Sequence, residues 1–150
     1  MSKGYSTNIP EAYPIQKSEL EWSSTLTPMQ FEVLRNKATE RAFSGEYYQH
    51  SEKGVYNCAG CNQALYKSST KFNAHCGWPA FYEAIEGAVV TKTDISFGME
   101  RIEMLCSKCG GHLGHIFKGE GFNTPTDERH CVNSVSLKFT SDPTPKKADD

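Results

Sequence analysis

No run of apolar residues in this chain approaches the roughly 18 needed to cross a bilayer, which excludes a membrane-spanning helix. The opening stretch has no arginine and no apolar core, and it carries Glu11 and Glu19, so neither a secretory signal nor a transit peptide fits. Charge of one sign is also missing. A net charge of −2 argues against a nucleic-acid surface, which needs a strong excess of Lys and Arg. Lys146 and Lys147 are followed at once by Asp149 and Asp150, the pattern of a solvated tail. There is no internal repeat and no linker to divide the 150 residues. The expected address is therefore cytoplasmic, where thiols stay reduced.

What is present is an ordinary globular composition, 37% hydrophobic and 23% charged, enough for one core. Residues 1–20 are polar and broken by Pro10 and Pro14, and read as a flexible segment. Residues 141–150, with Pro143 and Pro145, read as a second one, leaving a single domain over 21–140. Thr27-Pro28-Met29-Gln30 has the form of a helix-starting capping box, with Leu26 and Phe31 placed as a hydrophobic staple. Phe31, Leu34 and Ala38 continue at helical spacing, and Gly45 is the expected stop. From Gly54 the texture changes to short β-like runs: 55–56, 64–66, 88–90, 102–105 and 132–139. The expectation is a mainly β fold of antiparallel sheets with one short N-terminal helix.

The six cysteines divide unequally. Cys58-Ala59-Gly60-Cys61 and Cys106-Ser107-Lys108-Cys109 are two C-x-x-C knuckles, each following an apolar run. Two residues between cysteines let a tight turn aim both sulfurs at one point, and two such turns complete a tetrahedron of thiolates about 2.3 Å from a zinc ion. Three disulfides would demand a secreted chain, a thioredoxin-like redox pair would need a βαβ context, and an iron–sulfur cluster is the remaining rival. Four thiolates leave no open coordination position, so this zinc staples the fold and the chemistry lies elsewhere.

Cys76 and Cys131 remain. A free cysteine is more often an inert small hydrophobe than a reagent. Cys131, however, sits in Arg129-His130-Cys131-Val132-Asn133. If residues 129–139 form one strand, Arg129, Cys131 and Asn133 share a face that continues as a core face through Val135, Leu137 and Phe139, and His130 points the other way. Arg129 would then favour the Cys131 thiolate. His112 and His115, three residues apart, would face opposite sides of a regular strand and can serve one site only if Gly114 bends the chain. Trp78 is held in a rigid turn by Gly77 and Pro79.

These pieces, in this order and spacing, resemble the B-type methionine sulfoxide reductases, specific for the R epimer, over Leu26 to Phe139. The resemblance implies two antiparallel sheets leaning tent-like over a zinc site of four cysteines, and no organic cofactor. It implies that Cys131 is the catalytic cysteine and Cys76 the resolving one, that Trp78 holds the substrate methyl group, and that His112, His115, Arg129 and Asn133 surround the sulfoxide. It implies reduction of methionine sulfoxide in oxidised proteins or peptides by a monomer, through a Cys131 sulfenic acid and a Cys76–Cys131 disulfide that thioredoxin reduces. At the residue before the catalytic cysteine the family often carries tyrosine, and here stands His130. A rival from another class is a non-enzymatic binding module on the same zinc-stapled β scaffold, in which Trp78 recognises a partner and Cys131 is incidental.

Overall fold

The computed structural model describes residues 5–6, 13–94 and 101–141. Two short helices, α1 (Glu19–Thr25) and α2 (Pro28–Leu34), precede most of the sheet structure. The strands are β1 (Tyr5–Ser6), β2 (Gly54–Cys58), β3 (Ala64–Lys67), β4 (Lys71–Phe72), β5 (Ala80–Phe81), β6 (Val89–Asp94), β7 (Arg101–Cys106), β8 (His112–Lys118), β9 (Glu128–Val132) and β10 (Leu137–Ser141). A seven-stranded sheet runs β1-β6-β7-β8-β9-β5-β4, and a three-stranded sheet runs β10-β2-β3. Every pairing but β1 with β6 is antiparallel. The mainly β architecture of two antiparallel sheets is the expected one. Residues 1–4 and 7–12 of the N-terminal segment, and 142–150 of the tail, lie outside the described residues.

The helices differ from the expectation in number and length. Thr27 does cap α2: its hydroxyl accepts from the Gln30 N–H, and Gln30 returns the bond to the Thr27 N–H. But α2 ends at Leu34 and does not run on toward Gly45. The stop is a left-handed residue, Lys37 at φ 64°, around which the Ala38 N–H reaches back to Glu32 O at 2.9 Å. Helix α1 lay hidden at the end of the polar segment. Its signal is a second capping box, Ser18 with Glu21, and it buries Trp22 to 3% exposure. The cations of Lys17 (4.8 Å) and Arg35 (4.5 Å) both lie over the Trp22 ring.

The single strand expected over 129–139 is two. β9 stops at Val132, a 3-10 turn spans Ser134–Ser136, and β10 resumes in the other sheet. The break is held by the Asn133 N–H on Leu113 O and the Ser136 N–H on Asn133 O. The faces of β9 are correspondingly reversed. Glu128, His130 and Val132 are buried, whereas Arg129 and Cys131 lie on the half-buried side. His130 does point away from Cys131, as alternation required, into a pocket where Tyr66 Oη (2.9 Å) and Glu128 Oε1 (2.8 Å) occupy its two ring nitrogens.

Between the sheets lies one core. Tyr56, Tyr66 and Phe81 are fully buried, with Tyr66 stacked on Phe81 at 4.3 Å. Side chains of this kind stabilise by about 2–3 kcal/mol each on leaving water. Two of the three sit on the small sheet and Phe81 on β5, so the packing ties the sheets together beside the strand that carries Cys131.

Candidate active site and metal centre

Cys58 closes β2 and Cys106 closes β7, so the two knuckles hang from different sheets. Each is a tight turn: the Cys58 N–H bonds Gln63 O, and the Cys106 N–H bonds Gly111 O. Gly110 takes φ 76°, and a Cβ there would lie 2.7 Å from the Tyr13 ring. The four sulfurs lie within 4.8 Å of one another, with Cys58 to Cys109 at 3.7 Å and Cys61 to Cys106 at 3.5 Å. A tetrahedron of metal–sulfur bonds of about 2.3 Å has edges of about 3.8 Å, so the set fits one metal ion. Three of the four cysteines are buried, and Cys61 is the one partly open to solvent.

Cys131 is the fourth of the five residues of β9. Its register partners are His115 on β8 and Ala80 on β5. Directly paired residues share a face, so the His115 ring rises beside Cys131. The turn before β5 carries Cys76, and the Val132 N–H clamps it through Pro79 O at 3.0 Å. His75 (φ 57°) and Gly77 (φ 94°) bracket Cys76 in left-handed backbone. At Gly77 a Cβ would strike Ala42 at 2.7 Å, so only glycine lets the strap at 42–43 pass. The outcome is a Cys76–Cys131 sulfur separation of 3.9 Å, with both residues half-buried.

The two thiols of this pair are shifted in opposite directions. The Cys76 thiol is pulled down to about 6, first by the hydrogen bond with Cys131, against burial, then by a backbone hydrogen bond at Trp78 and the Arg129 charge. Cys131 is pushed up, first by the same hydrogen bond and then by burial and the Cys76 charge, with Arg129 pulling the other way. Arg129 therefore acts on Cys131 in the expected sense but does not prevail. Alkylation of the reduced protein by iodoacetamide, followed by mass spectrometry, is expected to rise through about pH 6 at Cys76, because deprotonation makes the nucleophile. A rise confined to the range of an ordinary thiol, around pH 8.5, would contradict this arrangement.

The two histidines do meet. The β7–β8 ladder pairs Met104 with Gly114 and then Leu105 with His112, so one extra residue bulges from β8. The bulge undoes the alternation, and the His112 and His115 rings stand 5.6 Å apart, edge to face. Gly114 is obligatory for another reason: its Cβ would lie 1.9 Å from Cys131 O. Arg129 forks onto Glu120 at 2.8 and 3.0 Å and lies 4.2 Å over the Phe117 ring. The Trp78 Nε1–H donates to Glu40 O at 3.1 Å, fixing a half-buried indole beside Cys76. Both ends of the Asn133 amide are engaged, Nδ2 on Leu113 O (3.0 Å) and Oδ1 accepting from the Glu40 N–H (2.9 Å).

Two residues of this neighbourhood escaped the sequence reading. Glu40, 3% exposed, holds Trp78 and Asn133 through its backbone, and its carboxylate accepts from the Val135 N–H at 2.9 Å. Burial raises its pKa, opposed by the backbone at Ser134 and Val135. Glu103 is fully buried in β7, with Oε2 accepting from His112 Nδ1 at 2.8 Å and Lys37 Nζ 3.3 Å from Oε1. Burial works against its charge, but the His112 bond and then Lys37 hold its carboxyl below the usual range. An acid inside an apolar strand run, Ile102-Glu103-Met104-Leu105, was the available signal for it.

The SelR domain family matches residues 26–141. The chain is 58% identical over 142 residues to peptide methionine sulfoxide reductase B3 of Arabidopsis thaliana, an alignment spanning 93% of this chain and 80% of that protein. It is 55% identical over 133 residues to the B8 protein of the same plant, spanning 89% and 92%. A rice relative named peptide methionine sulfoxide reductase B3, chloroplastic, is 62% identical over 125 residues, 83% of this chain and 54% of the longer rice protein.

Proposed function

Because this chain belongs to the SelR family, whose similar members are peptide methionine sulfoxide reductases of type B, we propose that it reduces the R epimer of methionine sulfoxide through Cys131 and Cys76. It is an oxidoreductase, its substrate is methionine sulfoxide, and oxidised proteins and peptides carry that group. The observation that carries the two-cysteine reading is the 3.9 Å separation of Cys76 and Cys131, residues 55 apart in sequence.

As the sulfoxide enters, Trp78 holds the methyl group and the histidines face the oxygen. The thiol proton lies between Cys76 and Cys131, and the Cys131 sulfur attacks the substrate sulfur as a thiolate. A histidinium protonates the departing oxygen, worth on the order of 10²-fold or more, since an unprotonated oxygen leaves badly. The protonated oxygen passes as hydroxyl to the Cys131 sulfur while the bond between the two sulfurs breaks, so methionine departs and Cys131 is left as a sulfenic acid. Cys76 then attacks that sulfur, water leaves, and a disulfide forms. The sulfurs need close only from 3.9 Å to about 2.05 Å for that bond. Thioredoxin reopens it by exchange. Asn133 acts in the pocket wall, through the Glu40 backbone that seats Trp78. Arg129 adds positive charge beside both sulfurs.

Cys58, Cys61, Cys106 and Cys109 hold one zinc ion, which supplies a cross-link between the sheets and no open coordination position. Electrons arrive as thiols, so no organic cofactor is called for. The site draws on one chain, which supports a monomer, and six unpaired cysteines suit a reducing compartment such as the cytosol. Among the described residues no helix is long and apolar enough to cross a membrane.

The deciding experiment is thioredoxin-coupled turnover of the separated R and S epimers of a methionine sulfoxide peptide. Turnover of the R epimer alone is expected, and turnover of neither by zinc-loaded protein would remove the reading. In the same assay Cys76→Ser is expected to release about one methionine per enzyme and then stall. An unchanged steady-state rate would show that another thiol resolves the sulfenic acid.

A further inference from the structure

We infer that Glu103 is a positioning residue of the sulfoxide pocket, holding the His112 ring so that its Nε2 meets the substrate oxygen; this rests on the reductase reading above. Three strands carry a row of register partners, Glu103 on β7, His115 on β8 and Cys131 on β9. Directly paired residues share a face. The Glu103 carboxylate therefore rises on the face that carries the thiol, two strands away. The bulge in β8 swings His112 into the same row, where Nδ1 lies 2.8 Å from Glu103 Oε2.

A carboxylate can only accept, so Nδ1 carries the proton and the other nitrogen's role is decided by that bond. His112 Nε2 is buried and has no hydrogen-bond partner among the described residues. A buried, unpaired ring nitrogen is costly in a finished fold and calls for an explanation, and a polar group on the substrate supplies one. The imidazolium form donates from Nε2 to a sulfoxide oxygen, which has lone pairs and no proton of its own.

Stability does not explain Glu103. A wholly buried charge in the middle of a sheet is poorer than a well-packed apolar side chain of the same size. Its cationic partner, Lys37, is half-exposed, so that ion pair is largely screened. What the carboxylate achieves is the fixed direction of one imidazole, as the carboxylates behind metal-bound histidines do.

The test compares Glu103→Leu with Glu103→Gln. Leucine removes the acceptor, and the Oε1 of glutamine retains it. Expected for Glu103→Leu is a melting temperature at or above wild type with kcat lowered roughly 10- to 100-fold, and for Glu103→Gln recovery of most of that loss. Nitrogen-15 spectra of His112 give a second readout that needs no turnover. In a Cys131→Ser background the R epimer of a methionine sulfoxide peptide is expected to move the His112 Nε2 resonance, and Glu103→Leu to abolish that response. Activity of Glu103→Leu within twofold of wild type would overturn the inference. So would equal losses in both variants that track the melting temperature, with an unmoved Nε2 resonance. Should Glu103→Leu fail to fold, Glu103→Gln and the spectra decide by the same criteria. Failure of wild type to turn over the sulfoxide would count against the reductase reading, and the ring assignment would still be read from the spectra.

Discussion

Cys131→Ser is expected to lose turnover by a factor on the order of 10⁴ or more, the scale seen when a covalent nucleophile is removed. A serine hydroxyl stays protonated near neutrality and has no counterpart of the sulfenic acid, so the oxygen has nowhere to go. Fold and metal loading should survive, because Cys131 is half-buried and the exchange is close to isosteric. The result decides more than whether cysteine matters. The Cys76 thiol is pulled down to about 6, and a reading by acidity alone would make Cys76 the nucleophile. Position argues the other way. Cys131 is fixed in a strand between His115 and Ala80, whereas Cys76 rides on a turn bracketed by left-handed residues. Turnover kept by Cys131→Ser and lost at the first cycle by Cys76→Ser would reverse the two roles.

Removal of the metal by a strong chelator is expected to lower the melting temperature by about 10 °C or more. The cross-link joins positions 51 apart (Cys58 to Cys109) and 45 apart (Cys61 to Cys106). Closing a loop of that length in the unfolded chain corresponds to about 4 kcal/mol, and a chain of this size shifts by about 2–4 °C per kcal/mol. Apo protein also keeps four thiols crowded at 3.5–3.7 Å with nothing to neutralise them when they ionise. Restoring zinc should restore the transition, because ligand binding and folding are linked. A shift below about 2 °C by calorimetry, with metal loss verified by elemental analysis, would mean that packing between the sheets suffices without the ion.

The sequence was most legible where chemistry demands rare residues at fixed spacing. Two C-x-x-C knuckles announced the metal site because two residues between cysteines let each turn aim both sulfurs at one point. Thr27 to Gln30 announced the start of α2 because both halves of a capping box lie within four residues. Legibility failed where the deciding contact is distant. Nothing local says that the chain must leave one sheet at Asn133 and enter the other at Leu137, so one strand was read in place of two and the buried face of β9 was misassigned. The surroundings of the Cys131 thiol were only partly legible for the same reason. Arg129 is two residues away and visible, whereas Cys76 is 55 positions away and dominates. Glu103 shows the middle case: its type was anomalous in an apolar run, but its partner His112 lies across a strand pair.

The bulge in β8 bears on how such a site tolerates change. Histidines three positions apart ordinarily mark one face of a helix, and here they mark a strand with a surplus residue. Removing that residue would lengthen no loop and disturb no metal ligand, yet it would restore strict alternation and send one imidazole through to the far side of the sheet. Insertions and deletions in this lineage should therefore accumulate in the turn between β8 and β9, where a Cβ added at Gly119 or Gly121 would meet nothing within 4 Å, and be purged between His112 and His115. The arrangement makes the count of residues, as much as their identity, a heritable determinant of activity.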